Sequence, residues 1–110
     1  MYAQVTYFDG PRSPEVVAAA EHAGRDRLQP AIEADPTMGE ELASLLVLRR
    51  DDGGELVIAI TRTEAGIARA REVIMGTELL PDEDPALLSE PSRVEIFQVV
   101  ESRNYASTWV

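Results

Sequence analysis

Few side chains in this 110-residue chain have chemistry to offer a ligand. His22 is the only histidine and would be the first choice for proton transfer near neutral pH. Counted at about 100° per residue, it falls roughly 140° from Val17, on the outer side of the helix that holds it. That position reads as a solvated surface residue. Two hydroxyls, Ser44 and Thr61, are expected opposite each other on a hairpin face that is otherwise apolar. The helix above them presents Ala20 and Gly24, with Glu21 at its edge. Small residues on both layers suit close packing of helix on sheet. The same set also suits a pocket with Ser44, Thr61 and Glu21 as its polar groups and Gly24 leaving room. Tyr7 would add a phenol if its side of the first strand faces the helices, and alternation alone leaves that side open. Arg62, at a strand end, is placed to meet an anionic ligand, to pair with an acid across a dimer, or to sit exposed at the rim. Glu21 and Arg25 are spaced for a surface ion pair. No catalytic constellation emerges, so no catalytic residue is assigned.

Metal and redox chemistry find little support. The chain has no Cys, which excludes disulfides, thiolate metal sites and thiol catalysis. With one His, a metal site would have to be built from carboxylates alone. The acidic clusters have simpler explanations: turn chemistry for Asp51-Asp52 and loop solvation for Asp82-Glu83-Asp84. Neither a metal nor a cofactor is expected. Twenty acidic residues against ten basic ones, all Arg, give a formal net charge of -10, which repels phosphate backbones. Nucleic acid is therefore a poor partner. No apolar run approaches the ~20 residues of a membrane helix, and MYAQVTYFDG lacks the features of a signal peptide. A cytoplasmic protein without membrane contact is the expectation.

The elements that position these residues centre on residues 42–62, LASLLVLRRDDGGELVIAITR. Two apolar runs flank Asp51-Asp52-Gly53-Gly54, the signature of an antiparallel hairpin. A two- or four-residue turn pairs Leu48 with Val57, Leu46 with Ala59 and Ser44 with Thr61. Both faces of that hairpin are apolar, whereas an antiparallel hairpin usually keeps one wet face. Cover on two sides is needed, and a second copy of the chain is the economical source of one. Residues 2–8 alternate as a strand. Ser13-Pro14-Glu15 starts a helix to about Leu28, with a kink or break near Asp26 to Gln29 ahead of Pro30. Asp35-Pro36 closes it, and Thr37 to Glu41 reads as a polar connection. Thr63 caps a second helix that Gly76 stops, with Ile67, Ala70, Val73 and Ile74 inward. Residues 77–92, with three prolines, read as an exposed loop around one short helical turn. Residues 94–100 form the last strand. A domain over 1–101 and a tail over 102–110 with the only Trp, Trp109, complete the chain.

The order β-α-β-β-α-β is the split βαβ arrangement of ferredoxin-like α+β domains, with an antiparallel sheet. Two helices cover only one face of such a sheet, which points to two sheets packed face to face. With VTYFDG, RLQPAI, LLVLRRDDGGELVIAIT and VEIFQVV, the chain resembles the dimeric α+β barrel superfamily, in particular small proteins related to antibiotic biosynthesis monooxygenases. The resemblance implies a homodimer whose sheets form a barrel with the helices outside. It also implies ligands held between a sheet and its own helices. Active members oxidise aromatic or quinol-like compounds with dioxygen, often without a cofactor. Many carry a Trp at the end of the third strand, where this chain has Thr61. Two functions follow as expectations: a protein that binds an apolar or aromatic small molecule or serves a structural role, and a cofactor-independent monooxygenase.

Overall fold

A computed structural model describes residues 1–105. Alternating Tyr2–Phe8 forms β1. The crossover that follows begins at α1 (Pro14–Ala23), where Ser13 accepts a hydrogen bond from the Val16 N–H at 3.2 Å. The break expected near Pro30 takes the form of a π-helical turn over Gly24–Leu28, after which α2 (Gln29–Ala34) carries Pro30 in its first turn. Pro30 has no N–H to give and its ring crowds the preceding turn. Widening that turn relieves both problems, and the Gln29 N–H reaches back to the Gly24 carbonyl. Residues 37–41 are helical and not the polar connection expected of them. Asp35 accepts from the Met38 N–H at 3.1 Å and Pro36 opens the turn, giving α3 (Pro36–Glu41). Met38, 2% exposed, is one of the few fully buried large side chains among the described residues. The hairpin strands β2 (Leu42–Arg49) and β3 (Glu55–Thr61) follow. Thr63 then caps α4 (Glu64–Met75), a 3-10 turn spans Pro85–Leu87, and β4 (Arg93–Gln98) ends the sheet. No helix among the described residues is long and apolar enough to cross a membrane. Trp109, expected in the tail over 102–110, lies outside the described residues.

The four strands form one antiparallel sheet in the order β2-β3-β1-β4. Placing β3 between β1 and β2 splits the first βαβ unit, an arrangement compatible with a ferredoxin-like fold. Cross-strand partners share a face. Thr61, Ala59 and Val57 therefore look the same way as Tyr2, Gln4 and Thr6. The helices lie on that side. A methyl group at Gly66 of α4 would come 3.0 Å from the Thr61 Cβ, and Glu21 of α1 meets Arg49 at 2.9 Å. The opposite face carries Val5, Tyr7, Leu46, Leu48, Leu56, Ile58, Ile60 and Phe97, and the helices leave it bare.

The hairpin register differs by one residue from the expected pairing. Leu48 faces Leu56, and Ser44 faces Ile60 where Thr61 was expected. The loop has three residues. The Gly53 N–H donates to the Arg50 carbonyl at 3.0 Å, and the Arg50 N–H donates to the Gly54 carbonyl at 2.8 Å. Gly53 sits at φ 89°, the left-handed position that completes a type I turn with a bulge. An odd loop length slides the register by one, which turns every residue of β3 to the other side. A second irregularity between Leu42 and Ser44 then lets Leu42 pair with Thr61.

Gly53 has a second constraint, because a Cβ there would lie 2.5 Å from the Arg12 carbonyl oxygen. The left-handed position alone costs a residue with a side chain about 1–2 kcal/mol. Gly53→Ala should therefore destabilise the fold by at least about 2 kcal/mol in urea denaturation. A neutral effect would mean that the loop readily adopts another conformation.

Candidate functional site

Charged side chains converge where β1 ends and the hairpin turns. The Arg12 N–H donates to the Asp52 carbonyl at 2.8 Å, and its Nε donates to the Gly53 carbonyl at 2.6 Å. Its guanidinium lies 5.4 Å from the centre of the Phe8 ring and 3.5 Å from Glu55. Both the Arg12 and Glu55 side chains are buried. Glu55 also accepts from Arg49 Nε at 3.0 Å and Nη2 at 2.8 Å, and Arg49 reaches on to Glu21 at 2.9 Å. The result is an alternating chain Arg12–Glu55–Arg49–Glu21. The buried Arg12 charge would not be tolerable there without Glu55.

Beside this chain, at the turn end of the sheet, lies a cleft of about 290 Å³. Its apolar floor is taken from the lining residues Leu48, Leu56 and Tyr7, which are directly opposite one another in the register and belong to the helix-free face. Phe8, Asp9, Gly10, Arg49, Arg50, Gly54 and Glu55 complete the lining. Next to the floor, the Arg93 guanidinium lies 3.8 Å from the centre of the Tyr7 ring, close enough for a cation–π contact. Arg93 Nε donates to Glu95 at 2.7 Å. That bond, and then the Tyr7 hydroxyl, hold the Glu95 carboxyl below the usual carboxylate range. Among the described residues, no three His, Asp or Glu side chains converge where a cation would sit.

The residues singled out in the sequence are spread over both faces of the sheet. Thr61 is fully buried on the helix side, out of reach of a ligand, and its hydroxyl donates to the Thr63 carbonyl at 2.6 Å. Ser44, half-buried, is on the opposite face, so the two hydroxyls do not share a pocket. Glu21 pairs with Arg49, and Arg25, its expected partner, turns to Asp26 at 3.2 Å. Gly24 opens the π-helical turn with nothing within 4 Å of where a Cβ would stand. Arg62 is exposed, with its N–H on the Glu41 carbonyl at 2.9 Å. Only Tyr7 belongs to the cleft, on the face opposite the helices. Arg49, Arg50, Glu55, Leu48 and Leu56 were missed. A three-residue reading of Asp-Asp-Gly would have aligned Leu48 with Leu56, and the pairing with Tyr7 comes from β1.

His22 is not the freely solvated residue expected. Its Nδ1 meets Asp26 at 2.6 Å and its Nε2 meets Asp82 at 3.1 Å, with 29% of the side chain exposed. The hydrogen bond to Asp82, then that to Asp26, raise its pKa above the ordinary 6.5. Asp82 comes from the loop over residues 77–92, which Arg27 also holds, through Glu83 at 2.7 Å and Thr77 at 2.8 Å. This clasp lies on the helix layer, away from the cleft.

No protein-family model matches the chain, and no curated protein matches it either.

Two measurements check this geometry. Open space around Gly24 means that Gly24→Ala should stabilise the helix by about 0.5–1 kcal/mol, read in urea melts. A loss of stability would show that the methyl meets something. The His22 pKa is raised on folding, so its contribution is complete below about pH 6.5 and lost as pH rises through the raised value. The lowered pKa values of Asp26 and Asp82 act in the opposite direction, their contribution fading only as pH falls through those values. The melting temperature should therefore decline from about pH 6 to pH 8, and His22→Gln should flatten that decline. A wild-type melt constant across this window would contradict the paired geometry.

Proposed function

We propose that the chain is a small-molecule-binding homodimer, with two sheets packed through their helix-free faces in the manner of a dimeric α+β barrel. Each cleft then lies at the turn end of its sheet. The observation that carries this reading is a cleft set in an apolar face that the chain's own helices leave bare. Leu46, Leu48 and Phe97 on that face are 42%, 47% and 47% exposed, and Val5, Ile58 and Ile60 lie between them. A continuous patch of this kind on a lone domain is a liability in water and marks a surface that meets something. A second copy offers an identical face, so one symmetric contact buries both. At about 290 Å³ the cleft is near the lower limit of small-molecule sites, and its apolar floor with a few polar rim groups has their usual make-up. Glu55 and Arg49 at its edge are engaged with each other on the helix side, which suits holding a ligand more than transforming one.

Sedimentation at micromolar concentration should give a dimer, as expected of an interface burying well over ~1,000 Å² in total. Leu46→Glu places a charge in the middle of the contact and should yield a monomer. A wild-type protein that stays monomeric and folded would overturn the dimer. Native mass spectrometry should show a co-purified small molecule that Leu56→Trp, which fills the cleft floor, expels.

A further inference from the structure

Which charges around the cleft are already spent decides what a ligand can pair with there. Four ionisable residues of opposite signs border it beside Tyr7: Asp9, Arg49, Arg50 and Glu55. Two of them, Arg49 and Glu55, turn their side chains to the helix layer. Arg49 lies between Glu21 and Glu55, and Glu55 lies between Arg49 and Arg12, so these two are satisfied within the protein. Asp9 and Arg50 are different. Asp9 uses its backbone N–H on Ser92 and Arg50 its backbone N–H on Gly54. Among the described residues neither side chain has a hydrogen-bond or ion-pair partner, and both residues are exposed. They come from two segments that touch at the cleft, the end of β1 and the hairpin turn, which the Arg12 N–H joins through Asp52 at 2.8 Å. The cleft thus offers one free anion and one free cation beside an apolar floor.

We infer that the ligand is a small aromatic zwitterion of amino-acid size. Its ring lies on Leu48, Leu56 and Tyr7, its cationic group faces Asp9 and its anionic group faces Arg50. This assignment rests on the small-molecule reading above. Simpler ligands fit less well. An aromatic anion would use Arg50 but would face Asp9, with Asp51 and Asp52 close by in the turn, in a protein of formal net charge -10. Asp52 already gives one carboxylate oxygen to the Gly54 N–H at 2.8 Å, but its charge remains. An aromatic cation would satisfy Asp9 and meet Arg50 head on. A neutral aromatic would use the floor and neither charge. Only a ligand with both signs answers everything that is free. The Phe8 and Tyr7 rings already carry the arginines Arg12 and Arg93, so Arg50 is the cation left for the ligand.

Isothermal titration of the intact dimer with four probes tests this: phenylalanine, 3-phenylpropionate, phenethylamine and neutral 3-phenylpropanol. Phenylalanine should bind about three- to fivefold more tightly than either singly charged probe, the gain expected from one partly exposed pair. Arg50→Gln should bring phenylalanine to the level of phenethylamine, and Asp9→Asn should bring it to that of 3-phenylpropionate. Both residues are exposed, and thermal melts of the variants confirm that the fold is kept. If 3-phenylpropanol binds as tightly as phenylalanine and neither variant changes the order, the zwitterion assignment is overturned while the small-molecule reading stands. If one singly charged probe binds best, the assignment is overturned in favour of that charge class. If no probe binds at millimolar concentration, both the assignment and the cleft as a binding site fall.

Discussion

One backbone position, Gly53 at φ 89°, decides which way every residue of β3 faces. Its left-handed conformation closes a three-residue loop, and that odd length sets Leu56, Ile58 and Ile60 beside Leu46 and Leu48 on the bare side of the sheet. The loop is held from outside as well. Arg12 makes a backbone and a side-chain contact with it, and the Arg12 carbonyl occupies the space a side chain at Gly53 would need. The start of the helical crossover is therefore built against the turn that sets the register. The cleft is a consequence, since its floor residues meet only in this register.

The same corner shows how the helix layer is held. α1 meets the hairpin through Glu21 on Arg49, and Arg49 and Arg12 converge on Glu55. Such a chain gives less stability than its short distances suggest, because each buried charge loses its hydration. Removing Glu55 would cost much more, since Arg12 would stay buried with no counter-charge. Apolar burial contributes little of the compensation within one copy. Among the described residues the buried hydrophobic set is Ala3, Ala23, Met38 and Ile67, while the helix-free face shows Leu46, Leu48 and Phe97 nearly half exposed. A domain of this size ordinarily buries about two-thirds of the surface of its unfolded chain. An exposed apolar face beside so small a core is the surface that the dimer proposed above would cover.

Local signals carried most of the element order. Ser13-Pro14 and Thr63 announced helix starts, Gly76 a stop, and Pro30 the break. Asp35-Pro36 carries the same cap-and-proline signature as Ser13-Pro14, so it both ends one helix and legibly starts α3. Register was harder. Asp-Asp-Gly-Gly admits loops of two, three or four residues, and only the three-residue closure reverses the faces of β3. The pairing of Ser44 with Thr61, and the pocket built on it, depended on that choice. Contacts between distant segments left even less trace. Glu55 and Arg12 are 43 positions apart and His22 and Asp82 are 60 apart, so helical spacing says nothing about either pair.

The acidic run Asp82-Glu83-Asp84 shows how composition misleads when tertiary partners are hidden. Read as solvated charge, each of its three residues has a separate task. Asp82 meets His22 at 3.1 Å. Glu83, its carboxylate almost fully buried and held below its usual pKa chiefly by Arg27, also accepts the Leu80 N–H at 2.7 Å. Asp84 accepts the Ala86 N–H at 2.9 Å and starts the 3-10 turn. One residue anchors the loop to α1, the next to the π-helical turn, and the third bends the loop itself. The widened turn that Pro30 demands thus also sets Arg27 where the returning loop can be pinned. From there the chain travels to Ser92, whose N–H meets the Tyr7 carbonyl at 2.7 Å, and enters β4 with Arg93 against the Tyr7 ring. β4 begins just past Ser92, which is held by this bond and by the Asp9 N–H on its hydroxyl at 2.9 Å. The wall it adds beside Tyr7 flanks the cleft floor that the hairpin register laid down.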